Sequence, residues 1–578
     1  MRDRARLIAV ARGDEAPDLV VENARVFSAF TKEWLEVDVA VADGRVAGLG
    51  EFAGGERVDG RSQYLVPGFI DSHMHIESSK LMVDEFVRAV LPHGTTAVVC
   101  DPHEIANVLG SDGIHWLLDV CEDLPLDIYV MASSCVPASQ FESPRRALTL
   151  GDMEAILRRR HALGVAEMMN FPAVIAGEGS ELAKLSIEGA THVDGHAPGV
   201  RGSSLDAYIA AGIRSDHEAT TYEEALEKRR KGMWVLIREA SNARNLVDLL
   251  PLVRDFGPDN CAFCTDDREP DSLLREGHIN YMARLAVAHG VAAEDAILLA
   301  SLNGARYHGL TDHGAIAPGY RADFSLVPDL ETFSPTKVFN DGRLVVDDGG
   351  ALHVPKKEVP IWVRRSVRIQ PITADDLHID AGGSQLRVIE IIPGQLLTNS
   401  IVASPPSEDG RALADPDRDL AKIVVVERHH ATGRIGKGFV TGFGLQRGAF
   451  ASTVAHDGHN IVAVGQSDDD IVVCVRRLEQ LGGGIVVARD GQITAELALP
   501  VAGLLADEPF ETVVAKMDAA HESLAELGVK VPSPFMTLSF LALSVIPALK
   551  ITDHGLIDVD RFEVVPLEVE NAPEEVER

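Results

Sequence analysis

Cysteine is scarce in this chain: six among 578 residues, namely Cys100, Cys121, Cys135, Cys261, Cys264 and Cys474. So sparse a set excludes a disulfide framework. Cys261 and Cys264 form a single CxxC. Without a second pair it reads as small apolar strand residues and not as a zinc site. Positive charge is also short, with 54 Lys and Arg against 88 Asp and Glu and a net charge of −34. Such a surface repels phosphate backbones, so no nucleic-acid partner is expected, while a small neutral or cationic substrate is not excluded. No apolar run approaches the roughly 20 residues needed to cross a bilayer, and no membrane association is expected. The first residues, MRDRARLIAVARGDE, are too polar for a signal peptide and predict a short amphipathic helix. These absences together predict a cytoplasmic protein. Internal repeats and low-complexity tracts are absent too.

Apolar residues make up 46% of the chain, enough for a sizeable core. At about 150 residues per domain the length predicts several units. DLVVENARVF, DVAVADGRVAGLG and QYLVP read as short strands, with Asp43-Gly44 as a hairpin turn. The same pattern returns in APGYRADFSLV and PTKVFNDGRLVVDDG, with a second turn at Asp341-Gly342. Residues 1–64 and 316–368 are therefore expected to close together into one small β-sandwich domain.

Between these flanks, residues 65–315 alternate. Eight strand-like runs recur: 65–75, 94–100, 126–133, 164–169, 191–196, 212–217, 233–240 and 260–267. Helical stretches separate them, among them LMVDEFVRAVLPHG, DMEAILRRRHALG, SLDAYIAAG and YEEALEKRRKG. Alternation of this kind implies a parallel sheet, and eight units fit a (β/α)8 barrel. An open doubly wound sheet is the alternative, but the glycine-rich nucleotide turn after its first strand is missing. Residues 369–578 read as a further α/β domain. Its expected strands are LRVIEII, AKIVVVER, NIVAVG, DIVVCV and GGIVVARDG, with a helix over ETVVAKMDAAHESLAELG. The acidic end, LEVENAPEEVER, reads as a mobile, solvated tail.

Barrel chemistry sits at the C-terminal ends of strands. The first run ends in His73-Met74-His75, and alternate strand residues face one side, so both imidazoles point into one site. The other runs contribute Glu104 just past Asp101, Glu167, His196, His217 and Asp266. Histidines and carboxylates gathered in this way suit two divalent metals, which together activate water. Glu104 also reads as a helix N-terminal carboxylate. Asp267 is expected to be a neighbour only, because adjacent strand residues face opposite ways. His103 and His115 read as loop or helix surface residues, and Arg268 and Asn170 as neighbours of the site. Arg428-His429-His430 and the HDGHN segment with His456 and His459 resemble a second site, with a polar loop or interdomain contact as the favoured reading. Gly482-Gly483-Gly484 is a turn without the lysine of a phosphate loop.

LVPGFIDSHMHIESS and the strand-end pattern resemble the amidohydrolase superfamily. Within it, VVCDPHEIANVLG, VAEMMNFPAVI, VDGHAPG, SDHEATTYEEA, CTDDREPDSL and STVAHDGHNIVAVG resemble the bacterial type of adenine deaminase over nearly the whole chain. The resemblance implies a distorted barrel with two divalent metals, Mn2+ foremost, with Fe2+ or Zn2+ as alternatives. It implies that His73, His75 and Asp266 bind one metal, that His196 and His217 bind the other, and that Glu167 bridges them. Glu104 would complete the shell or act on the proton path. The implied reaction is hydrolytic deamination of adenine to hypoxanthine and ammonia by attack of metal-bridged hydroxide at C6, with Asp266 moving the proton, and a homodimer is the expected assembly. A cyclic-amide hydrolase would instead carry a carboxylated lysine on the fourth strand, where this chain has Glu167. A scaffold that has lost catalysis would have lost these ligands.

Overall fold

The computed structural model describes residues 4–381 and 385–569; the acidic end beyond residue 569 lies outside the described residues. The polar N-terminal stretch forms a helix over Arg4–Ala11.

All eight expected barrel strands form: Phe69–Met74, Thr95–Cys100, Asp127–Ala132, Ala162–Met168, Val193–Gly195, Ser215–Asp216, Trp234–Arg238 and Cys261–Cys264. The first five make one parallel sheet in sequential order and the last three another. Phe69–Met74, Thr95–Cys100 and Cys261–Cys264 are buried at every position, as parallel strands covered on both faces require. The CxxC cysteines are thus buried strand residues. Two seams close the ring. At one, Met74 pairs in parallel with Asp266, whose N–H donates to His73 O at 3.0 Å. At the other, the short fifth and sixth strands touch through Arg214 N–H to Val193 O at 3.2 Å. The chain therefore folds as a distorted parallel barrel.

The first predicted run, 65–75, is split by the structure. Tyr64–Pro67 pairs antiparallel with Phe324–Val327 in a seven-stranded sheet built from both flanks. A four-stranded sheet containing Leu19–Glu22 and Val39–Ala42 packs against it through Val21, Val41, Leu65 and Phe324. Gly68 joins this strand to the barrel, and the space there is filled by Thr96.

From residue 385 onward, a nine-stranded mixed sheet carries helices on its faces. One expectation fails. DIVVCV lies in a helix, Asp468–Leu481, and not in a strand. Its β-branched residues favour strands, but Ser467 caps the backbone N–H of Asp470, and Ile471, Cys474, Val475 and Leu478 form one buried helical face. Capping and burial outweigh propensity here. The domain seats on the barrel mouth: Ala506 N–H donates to Lys80 O at 2.8 Å, and buried Lys80 Nζ pairs with buried Glu269 at 2.9 Å.

A Cβ at Gly68 would lie 2.1 Å from Thr96 Oγ1 and 2.7 Å from Thr96 Cγ2. Gly68→Ala is expected to lower the unfolding free energy by about 1–3 kcal/mol through overpacking. Adding Thr96→Ala, which removes both atoms, makes the pair cost less than the sum of the single changes. Urea unfolding of the two single variants and the double variant checks this, and a fully stable Gly68→Ala contradicts it.

Candidate metal centre

The loop ends of the barrel strands bring His73, His75, Glu167, His196, His217 and Asp266 into one buried cluster. Glu167 lies at its middle. Its Oε1 faces His75 Nε2 at 3.4 Å and His73 Nε2 at 3.7 Å. Its Oε2 faces His196 Nδ1 at 2.7 Å and His217 Nε2 at 3.3 Å. One carboxylate thus divides its two oxygens between two pairs of imidazoles. Burial alone would raise its pKa, but hydrogen bonds from His196 and His217 outweigh it and hold the carboxylate well below its ordinary value.

Asp266 follows the last barrel strand in the left-handed region, at φ 55°. That conformation is costly for a non-glycine residue and concentrates at functional sites. Its Oδ1 lies 3.2 Å from His75 Nε2, and its Oδ2 accepts from Arg238 Nη1 at 2.8 Å. Arg238 also pairs with Glu218, and all three side chains are buried. Burial raises the Asp266 pKa, yet His75 and Arg238 outweigh it and keep the group ionised. The turn also breaks strand alternation, so Asp267 lines the same cavity as Asp266 instead of facing away. Burial and then Asp266 push the Asp267 pKa up to about 6.

Glu104 stands one layer behind. Its Oε1 lies 2.9 Å from Ser78 Oγ, which also contacts Asp267 Oδ1. Serine has a single hydroxyl hydrogen, so Ser78 donates to one of the two carboxylates at a time. Glu104 Oε2 faces His459 Nε2 at 3.5 Å.

Several residues at the centre escape the sequence reading. His103, expected on a surface, is buried, with Nδ1 3.0 Å from Asp101 Oδ2 and 3.6 Å from Glu167 Oε1. It opens the helix His103–Leu109, whose first turn points down onto the cluster. Its place directly after a strand-end aspartate is the signal that could have found it. His115 is half-buried on its helix, and Arg268, fully buried, bonds Glu239 O, Gly277 O and Glu276. Asn170 caps a helix by accepting from Ala173 N–H at 3.4 Å. The HDGHN segment is an interdomain contact of a particular kind: His456 and Asp457 line the cavity opposite the barrel. Asp457 Oδ1 lies 3.6 Å from His103 Nε2.

The cavity between the barrel and the C-terminal domain is small. Its floor is ionic; Met169 from the barrel and Leu396, Phe540, Leu543 and Ile546 from the C-terminal domain give it an apolar roof. Lys550 holds that roof in place. Fully buried, it donates to Leu396 O at 2.7 Å and to Phe540 O at 3.1 Å.

The donor set fits divalent metal. His73, His75 and Asp266 offer ligand atoms within 4.8 Å of one another, as do His73, Glu167 and His217. His73 Nε2 and Glu167 Oε1 are buried without a hydrogen-bond partner, which an ion at this position would satisfy. A parallel barrel with such strand ends defines a metal-dependent hydrolase of the amidohydrolase type. Residues 64–345 match the amidohydrolase family, and residues 395–563 match the adenine deaminase C-terminal domain. An adenine deaminase of Dehalococcoides mccartyi is 45% identical over 98% of this chain and 99% of its own length. One from Desulfatibacillum aliphaticivorans is 46% identical, covering 97% and 99%. Among solved structures, a beta-aspartyl dipeptidase of Fervidobacterium islandicum is 19% identical with a TM-score of 0.46, covering 59% of this chain and 100% of its own. The chain belongs to the adenine deaminase family.

Burial lowers the Lys550 pKa from 10.5 to about 7. Between those values the unfolded chain binds the proton and the folded one does not, so Lys550 makes stability rise with pH across that window. The stability of the parent relative to Lys550→Met is therefore expected to grow from pH 7 to pH 9 by about 1 kcal/mol per unit. Denaturant unfolding at both pH values measures it; a difference that stays flat or shrinks contradicts a buried neutral amine.

Proposed function

We propose that this chain hydrolyses adenine to hypoxanthine and ammonia, a purine-salvage reaction. The observation that carries this reading is the Glu167 carboxylate shared between two imidazole pairs beneath an apolar roof. The names of the relatives that align from end to end support the substrate.

His73, His75 and Asp266 would hold one divalent ion and His196 and His217 a second, with Glu167 common to both. Mn2+ is the favoured metal, with Fe2+ or Zn2+ as alternatives. When bound, the ions lower the pKa of water and so supply a nucleophile at neutral pH. The protein's own part is positioning and proton transfer. Asp266, fixed by Arg238 on one oxygen, takes the proton from the attacking water and passes it to the leaving amine at C6. Glu104 connects to the cavity through Ser78 and Asp267 and serves the proton path. The roof of Leu396, Phe540, Leu543 and Ile546 packs on the flat purine and keeps bulk water from it. The reading includes a cytoplasmic homodimer with no nucleic-acid or membrane partner.

The test is direct. The protein prepared with Mn2+ is incubated with adenine, and ammonia and hypoxanthine are measured in equal amounts. Chelation should abolish turnover and Mn2+ should restore it. Turnover of a cyclic amide such as dihydroorotate, with none of adenine, would overturn the assignment.

A further inference from the structure

Most arginines of this acidic chain are neutralised by carboxylates: Arg88 by Glu511, Arg146 by Asp152, Arg364 by Asp507, Arg477 by Glu496. Three are not. Among the described residues Arg145, Arg365 and Arg368 have no side-chain hydrogen bond or ion pair. All three line one open surface cleft, where Asp112 is the one carboxylate. The local charge is therefore strongly positive in a chain whose net charge is −34. Burial and then the charge of Arg368 lower the Arg145 pKa. Both arginines also line a neighbouring cleft with His429 and His430.

The backbone beneath these cations is fixed. Arg145 N–H donates to Asn107 O at 2.8 Å, and Arg368 N–H donates to Arg428 O at 2.8 Å. Between them, Ala502 N–H donates to Val363 O at 2.9 Å. Like charges gathered in one cleft attract an anion, and a guanidinium fork suits phosphate. Beside the arginines stands Trp362, 46% exposed and one of four tryptophans in the chain. An exposed indole next to a phosphate cradle is a stacking platform for a base.

We infer that the cleft between the barrel and residues 361–368 binds a nucleoside monophosphate. Arg145, Arg365 and Arg368 take the phosphate and Trp362 takes the base. The cleft is separate from the metal centre, although one helix, His103–Leu109, reaches both: His103 at the cluster and Leu109 in the cleft wall.

Titration calorimetry of the full chain with AMP, adenosine and inorganic phosphate tests this. AMP should bind saturably, with adenosine and phosphate each weaker by about tenfold or more. Arg145→Ala/Arg368→Ala should weaken AMP by about tenfold or more, with adenine turnover unchanged. Trp362→Ala should weaken AMP and leave the phosphate interaction as it was. Absence of saturable AMP binding, or AMP binding that survives the double arginine change, overturns the site. Phosphate binding as tightly as AMP overturns the role of Trp362.

Discussion

Everything at the centre of this molecule is organised around one buried carboxylate. Glu167 presents Oε1 to His73 and His75 and Oε2 to His196 and His217. These residues come from the first, fourth, fifth and sixth barrel strand ends, so ring closure of the sheet is what brings them together. An ionised carboxylate at 1% exposure is costly unless it is compensated. Four imidazoles provide that compensation, and a divalent metal held there would provide more. The barrel seam serves the same end: the Met74–Asp266 bridge sets Asp266 beside His75, and Arg238 fixes its far oxygen.

The C-terminal domain completes the site. The barrel supplies the ionic floor, and most of the apolar roof comes from Leu396, Phe540, Leu543 and Ile546. The fold therefore divides the work between two units, one polar and preorganised, the other apolar and enclosing. Lys550 shows how strongly the roof is held, since a full side chain is buried to bind two backbone carbonyls. His456 and Asp457 add polar groups from above, next to His103 and Asp267.

What the sequence discloses follows from range. Barrel strands are legible because strands buried on both faces read as apolar runs between amphipathic helices. His73, His75, Glu167, His196, His217 and Asp266 are legible because a barrel gathers its strand ends at one face. His103 is misread because nothing local distinguishes a helix start aimed inward from one aimed at solvent. The facing of Asp267 is misread because strict alternation is assumed past Cys264, where the strand ends and Asp266 turns left-handed. DIVVCV is misread because β-branched composition hides the cap at Ser467. The roof is invisible because its contacts to the barrel span hundreds of residues, as between Glu142 and Ser544.

Metal stoichiometry of a Glu167→Ala variant probes the shared carboxylate most directly. Elemental analysis of the folded parent should give about two divalent ions per chain, as two ligand sets joined by one carboxylate require. Without the carboxylate the variant, with its fold verified by circular dichroism, should retain one ion or none. A folded Glu167→Ala protein that still holds two ions at unchanged affinity would show that the imidazole pairs bind metal independently, and that Glu167 does not join them.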